Sequence, residues 1–131
     1  MTTTVDLLAA IGAHLTEFEL PATASVHVTA SLSAPQVTVQ LTCHEPSAIA
    51  HGLLAWADTL AEVTARAWRV PRGDSVHLSV TGLLPRGASV LVYGSHATTH
   101  RGLGPDLAPD ATTIIPLSML RHAAMVEEVK A

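Results

Sequence analysis

Cysteine is nearly missing from this chain: Cys43 stands alone, so no intramolecular disulfide can staple the fold. Long hydrophobic runs are missing too. Polar or charged residues interrupt every apolar stretch before the ~18 residues that a membrane-spanning helix needs, which argues against a membrane-embedded protein. The opening MTTTVDLLAAIGAH has no basic flank ahead of its apolar stretch and no clear small-residue cleavage site, so the sequence predicts a cytoplasmic protein. Aromatic rings are limited to Phe18, Trp56, Trp68 and Tyr93, which leaves few platforms for stacking bases. Charge is equally sparse. Charged residues make up 14% of the chain against 48% apolar ones, and the net charge of −4 disfavours a general polyanion binder. So little charge implies that part of the surface is covered, by a second copy or by another protein.

What the chain does contain is a motif stated twice. Phe18-x-Leu20-Pro21-x3-Ser25-Val26-His27-Val28 returns as Trp68-x-Val70-Pro71-x3-Ser75-Val76-His77-Leu78. With 131 residues, enough for one domain with its own core, this suggests a single α+β domain built from a duplicated helix-strand-strand unit, about residues 4–44 and 54–96. Thr3 and Asp6 have the spacing of a capping box, and Val5, Leu8, Ile11, Leu15 and Phe18 then recur at helical intervals, so a first helix is expected over about 4–18. Val26, Val28, Ala30 and Leu32 alternate with polar residues, as do Val37, Val39, Leu41 and Cys43 across a Pro35 turn, which reads as a hairpin. Ser47 is placed to cap a second helix whose apolar seam, Ile49, Leu53, Trp56, Leu60, Val63 and Ala67, lies across the sheet or pairs with its own copy in a second subunit. Pro71 ends that helix, and a second hairpin follows through Val76, Leu78, Val80 and Val90, Val92. An irregular segment over 97–113 gives way to a short extended piece, Thr112–Ile115, and Pro116 then opens a third helix over about 116–128. The expected architecture is therefore α-β-β-α-β-β-α: a four-stranded, antiparallel-rich sheet, two helices on one face, a third at an edge, and the two Ser-Val-His strands central.

The alternation assigns an opposite sheet face on which His27, Thr29, Gln40, Thr42, His77, Ser79 and Tyr93 are the candidate binding residues. With neutral imidazoles it carries no formal charge, unlike the Lys- and Glu-bearing faces that keep open sheets apart, and this suits a partly covered contact. His27 and His77 occupy matching places in the repeat, but two imidazoles without a third ligand make a poor metal site. Cys43, His44, His96 and His100 fall near the ends of the second and fourth strands. They are the residues that a small metal- or histidine-dependent enzyme would use, although their spacing matches no zinc signature and Cys43 sits on the apolar face. No nucleophile elbow, Gly-rich phosphate loop or zinc-binding helix motif accompanies them. Arg66, Arg69, Arg72 and Arg86 cluster near the middle of the chain and would serve a nucleic-acid-associated accessory protein, or simply complement a helix C-terminus.

The element order is loosely similar to bacterial secretion-chaperone-like folds, which are small, acidic and dimeric and typically carry an additional strand before the second helix. That resemblance implies partner binding. The expectation is a noncatalytic cytoplasmic binding or adaptor protein, a homodimer working through protein-protein contacts, with no cofactor, no resident metal and no membrane association. Metal-dependent catalysis and nucleic-acid association are the alternatives.

Overall fold

The structure, a computed structural model, describes residues 2–30, 36–85, 87–98 and 107–126. The elements in chain order are α1 (Thr4–Glu17), β1 (Thr23–Val28), β2 (Val37–Leu41), α2 (Pro46–Ala57), β3 (Ala61–Arg69), β4 (Ser75–Leu83), β5 (Ser89–Ala97), β6 (Thr112–Ile115) and α3 (Leu117–Val126). The strands form one six-stranded mixed sheet in the order β1-β2-β5-β4-β3-β6. This replaces the expected four-stranded, antiparallel-rich sheet. β2 and β5 run parallel, and every other neighbouring pair is antiparallel. Of the two Ser-Val-His strands, β4 is central as expected, but β1 lies at an edge.

The correction originates in one stretch. The apolar spacing from Ile49 to Ala67 predicted a single long helix; the chain makes α2 and β3 of it. Asp58 closes α2 with its N–H on Leu54 O at 3.0 Å, and Thr59 turns its hydroxyl back onto Trp56 O at 2.8 Å. The Asp58 bond is the last helical one; Thr59 N–H, at 2.9 Å, joins its hydroxyl on Trp56 O, the carbonyl that Leu60 N–H would need to continue the helix, and Leu60 N–H turns to Ala57 O instead. Beyond the turn, Val63, Thr64, Trp68 and Val70 favour a pleated strand, and buried Ala65 and Ala67 alternate with half-buried Thr64, Arg66 and Trp68. A strand therefore precedes β4 where a helix was expected. The duplicated helix-strand-strand unit is not the architecture; what the two Ser-Val-His segments share is that each opens a hairpin, β1–β2 and β4–β5.

α2 packs against one face of the sheet, over β4 and β5. Ile49, Leu53 and Trp56 of α2 are fully buried within the protomer, so they cannot form an intersubunit seam. Each such side chain contributes about 1.5–3 kcal/mol through removal from water. α2 lies close on β5 because Gly94 has no side chain: a Cβ there would come within 2.9 Å of Ile49. Glu45, rather than Ser47, is the N-cap of α2, with Pro46 opening the helix. The capping box of α1 forms as expected, Thr3 N donating to Asp6 Oδ2 at 3.0 Å and Asp6 N to Thr3 Oγ1 at 3.1 Å. The buried face of α1 is nevertheless rotated from the expected one. Leu7, Ile11 and His14 point inward, while Val5 and Leu8 are 74% and 54% exposed. α3 packs along α2 through buried Leu120 and Ala124. Among the described residues, no helix is long and apolar enough to cross a membrane.

Candidate functional site

The face of the sheet opposite the helices has no helix over it among the described residues, and the strand register sets its side chains in rows. One row runs Ser25, Gln40, Tyr93, Ser79, Arg66, Ile114 across all six strands. Beside it lie His27, Thr38, Leu91, Thr81 and Thr64 on one flank and Ser95, His77, Trp68 and Thr112 on the other. Three rings form a stripe over β3, β4 and β5. Trp68 meets His77 edge-on with centroids 5.0 Å apart, and His77 stacks on Tyr93 at 5.4 Å with the planes 5° from parallel. The stripe is pinned at one end by Trp68 Nε1, which donates to Asp110 Oδ1 at 3.1 Å.

Burial depresses the basicity of His77, so at neutral pH the imidazole carries no charge. Arg66 is then the formal charge in these rows. Its guanidinium donates to Thr81 Oγ1 at 3.1 Å, and it pairs with no carboxylate among the described residues. Ser25 donates to Gln40 Oε1 at 3.3 Å. Most of the remaining groups are hydroxyls, joined by the Gln40 amide, that both donate and accept, so the face suits a polar surface laid on it.

Of the binding residues read from the sequence, Gln40, Tyr93 and Ser79 share a row, with His77 diagonal to Tyr93. His27 is exposed on edge strand β1, three strand positions from His77 (~14 Å across the strands at the usual spacing) and on the opposite flank of the row, so the two do not form a paired site. Thr29 and Thr42 are exposed just beyond the ends of β1 and β2. The ends of β2 and β5 are neighbours because the two strands run parallel, which brings Cys43 and His96 to the same end of the sheet. Their chemistry differs from a ligand cluster. Burial raises the Cys43 thiol above its ordinary range, His44 is exposed, and His100 lies outside the described residues. His96 is only 3% exposed; its Nδ1 donates to Ala97 O at 2.9 Å, and its buried Nε2 has no partner among the described residues. No group of three or more His, Cys, Asp or Glu able to hold a metal occurs among the described residues.

The arginines do not form one patch. Arg66 faces the open side, whereas Arg69, three residues on, takes the opposite face and donates to Gly73 O at 2.9 Å and Leu107 O at 2.7 Å. Arg72 is exposed in the β3–β4 turn, and Arg86 lies outside the described residues. A hollow of about 370 Å³ between α1 and the strand starts includes Asp6 in its lining, which is committed to the capping box. Sequence reasoning missed Arg66 and Trp68 as face residues because it placed them on or at the end of a helix. The signal was present in the alternation Thr64-Ala65-Arg66-Ala67-Trp68, where every second residue is small and apolar.

The order α-β-β-α-β-β-β-β-α also departs from secretion-chaperone-like folds, since its additional strands follow the second helix. No protein-family model, no curated protein and no solved structure matches this chain.

Proposed function

We propose that this protein is a noncatalytic cytosolic binding module that docks a protein partner on the open face of its sheet. The observation that carries this reading is the Trp68–His77–Tyr93 stripe with Leu91 beside it, set among hydroxyls and the Gln40 amide, with Arg66 in the rows and the Asp110 carboxylate at the Trp68 end. Interfaces share that composition: aromatic and apolar residues at the centre, with Arg and neutral polar groups around them. The way the rings are used favours a protein over a nucleic acid. His77 spends its ring face on Tyr93 and meets Trp68 edge-on, so the stripe offers edges and a phenol hydroxyl more readily than open platforms for bases.

Affinity capture from the native cell, with wild type and a Tyr93→Lys variant compared, tests the reading. A charge set into the centre of a docking surface is expected to cost about 2 kcal/mol or more, so captured partner falls more than ~30-fold. The turn variant Arg72→Ala leaves capture unchanged. A folded Tyr93→Lys protein that retains its partners at wild-type levels overturns the proposal.

A further inference from the structure

We infer that the partner on this face is a second copy of the chain, packed sheet to sheet about a two-fold axis running along the strands between β4 and β5. The inference rests on the reading of the face as a docking surface and identifies its occupant.

The size of the face suits a second copy. At ~3.3 Å per residue and ~4.8 Å between strands, the strands span roughly 650 Å². That approaches the ~800 Å² per partner of a standard stable interface, so a sheet of equal extent covers the face without leaving an apolar remainder.

Its symmetry does too. A two-fold along the strands exchanges β4 with β5, β3 with β2 and β6 with β1, as follows from the strand order. Within the rows fixed by the register, Tyr93 of one copy then lies over Ser79 of the other, and His77 over Ser95. Large side chains meet small ones in both directions at once, which lets two inner faces interdigitate at the ~10 Å spacing of packed sheets. Arg66 comes over Gln40, an amide oxygen acceptor, instead of over a second Arg66. Ile114, 68% exposed on β6, comes over the Ser25 row position of β1. A two-fold perpendicular to the strands would instead set each strand over its own copy, stacking β3 on β3 with Arg66 on the same strand. The chemistry of the face is self-complementary for the same reason that it carries little charge: hydroxyls and amides donate and accept equally, so like meets like without repulsion.

The test begins with light scattering on the wild-type protein at micromolar concentration, where the mass of two chains is expected. Tyr93→Lys and Ser79→Arg, each checked for native circular dichroism, are expected to give the mass of one. In a Cys43→Ser background, an equal mixture of Gln40→Cys and Arg66→Cys proteins is expected to be linked by a short bismaleimide, while neither variant links alone. A wild-type monomer overturns the second-copy occupant, and if Tyr93→Lys still loses a captured partner in that case, the docking surface itself stands. A dimer that survives both face variants, or is lost on Val5→Asp and Leu8→Asp in α1 instead, also overturns it. Linking of Arg66→Cys protein alone overturns the axis.

Discussion

His14 shows how one buried side chain can make stability depend on pH. It is 3% exposed, lies against Trp56 at 5.6 Å and Phe18 at 4.8 Å, and its Nε2 is 2.8 Å from Thr59 Oγ1. Because the Thr59 hydroxyl donates to Trp56 O, its oxygen is left to accept, which fixes His14 as the neutral Nε2–H tautomer. Burial lowers its pKa from the ordinary 6.5, and the nearby Glu17 carboxylate only partly offsets that. Above the ordinary value both folded and unfolded imidazoles are neutral and nothing is lost; below it the unfolded chain takes up a proton that the folded site resists, and stability falls until that site too is protonated. The urea midpoint is therefore expected to drop between about pH 7.5 and about pH 5.5, and to drop less in His14→Leu. Part of the fall persists in that variant, since burial also depresses His77. An equal drop in wild type and variant would show that His14 is not the titrating group. His96 gives a contrasting case. Its buried Nε2 has no partner among the described residues, so His96→Met removes an unpaired acceptor along with one bond to Ala97 O. Its stability is expected to stay within about 1 kcal/mol of wild type in urea unfolding.

At the scale of elements, the contact between α2 and β5 is the tightest test of the packing. Gly94→Val places branched carbons where Ile49 already stands within 2.9 Å of a Cβ, and α2 cannot move off without uncovering Leu53 and Trp56. A loss of about 1–3 kcal/mol in chemical denaturation is expected, with a wild-type midpoint sufficient to refute the close approach. The same helix explains what the sequence made legible and what it hid. β1, β2, β4 and β5 could be read from strict alternation, and Gln40, His77, Ser79 and Tyr93 were assigned to the open face on that basis alone. β3 was hidden because Leu60, Val63 and Ala67 continue, at helical spacing, the pattern of Ile49, Leu53 and Trp56; alanines at 65 and 67 fit either reading. The break depends on Thr59 folding back onto Trp56 O, a local bond that periodicity does not register. With β3 went Arg66 and Trp68, and with them the charged and aromatic end of the candidate site. The position of β1 at an edge was hidden for another reason: strand order depends on which hairpin edges meet, and nothing in the local pattern of Val37–Leu41 specifies β5 as its neighbour.

Over the whole molecule, protection should follow the sheet order. β4 and β5 have neighbours on both sides and α2 above them, whereas β1 and the four-residue β6 each have one edge unpaired among the described residues. Native-state hydrogen exchange is expected to be slowest in Val76–Val80 and Val90–Val92 and fastest among strand amides in β6, and the reverse ranking would contradict the topology. The parallel seam between β2 and β5 has a further consequence, for the order in which the chain folds. The hairpins β1–β2, β3–β4 and β4–β5 close over short loops, but Val37 must find Val90 across most of the intervening chain. Loop-closure entropy makes that the costly step. The two halves of the sheet are thus expected to form first and join late, with the edge of β2 open to a wrong strand in the interval, so refolding at high protein concentration is where this architecture is most exposed to misassembly.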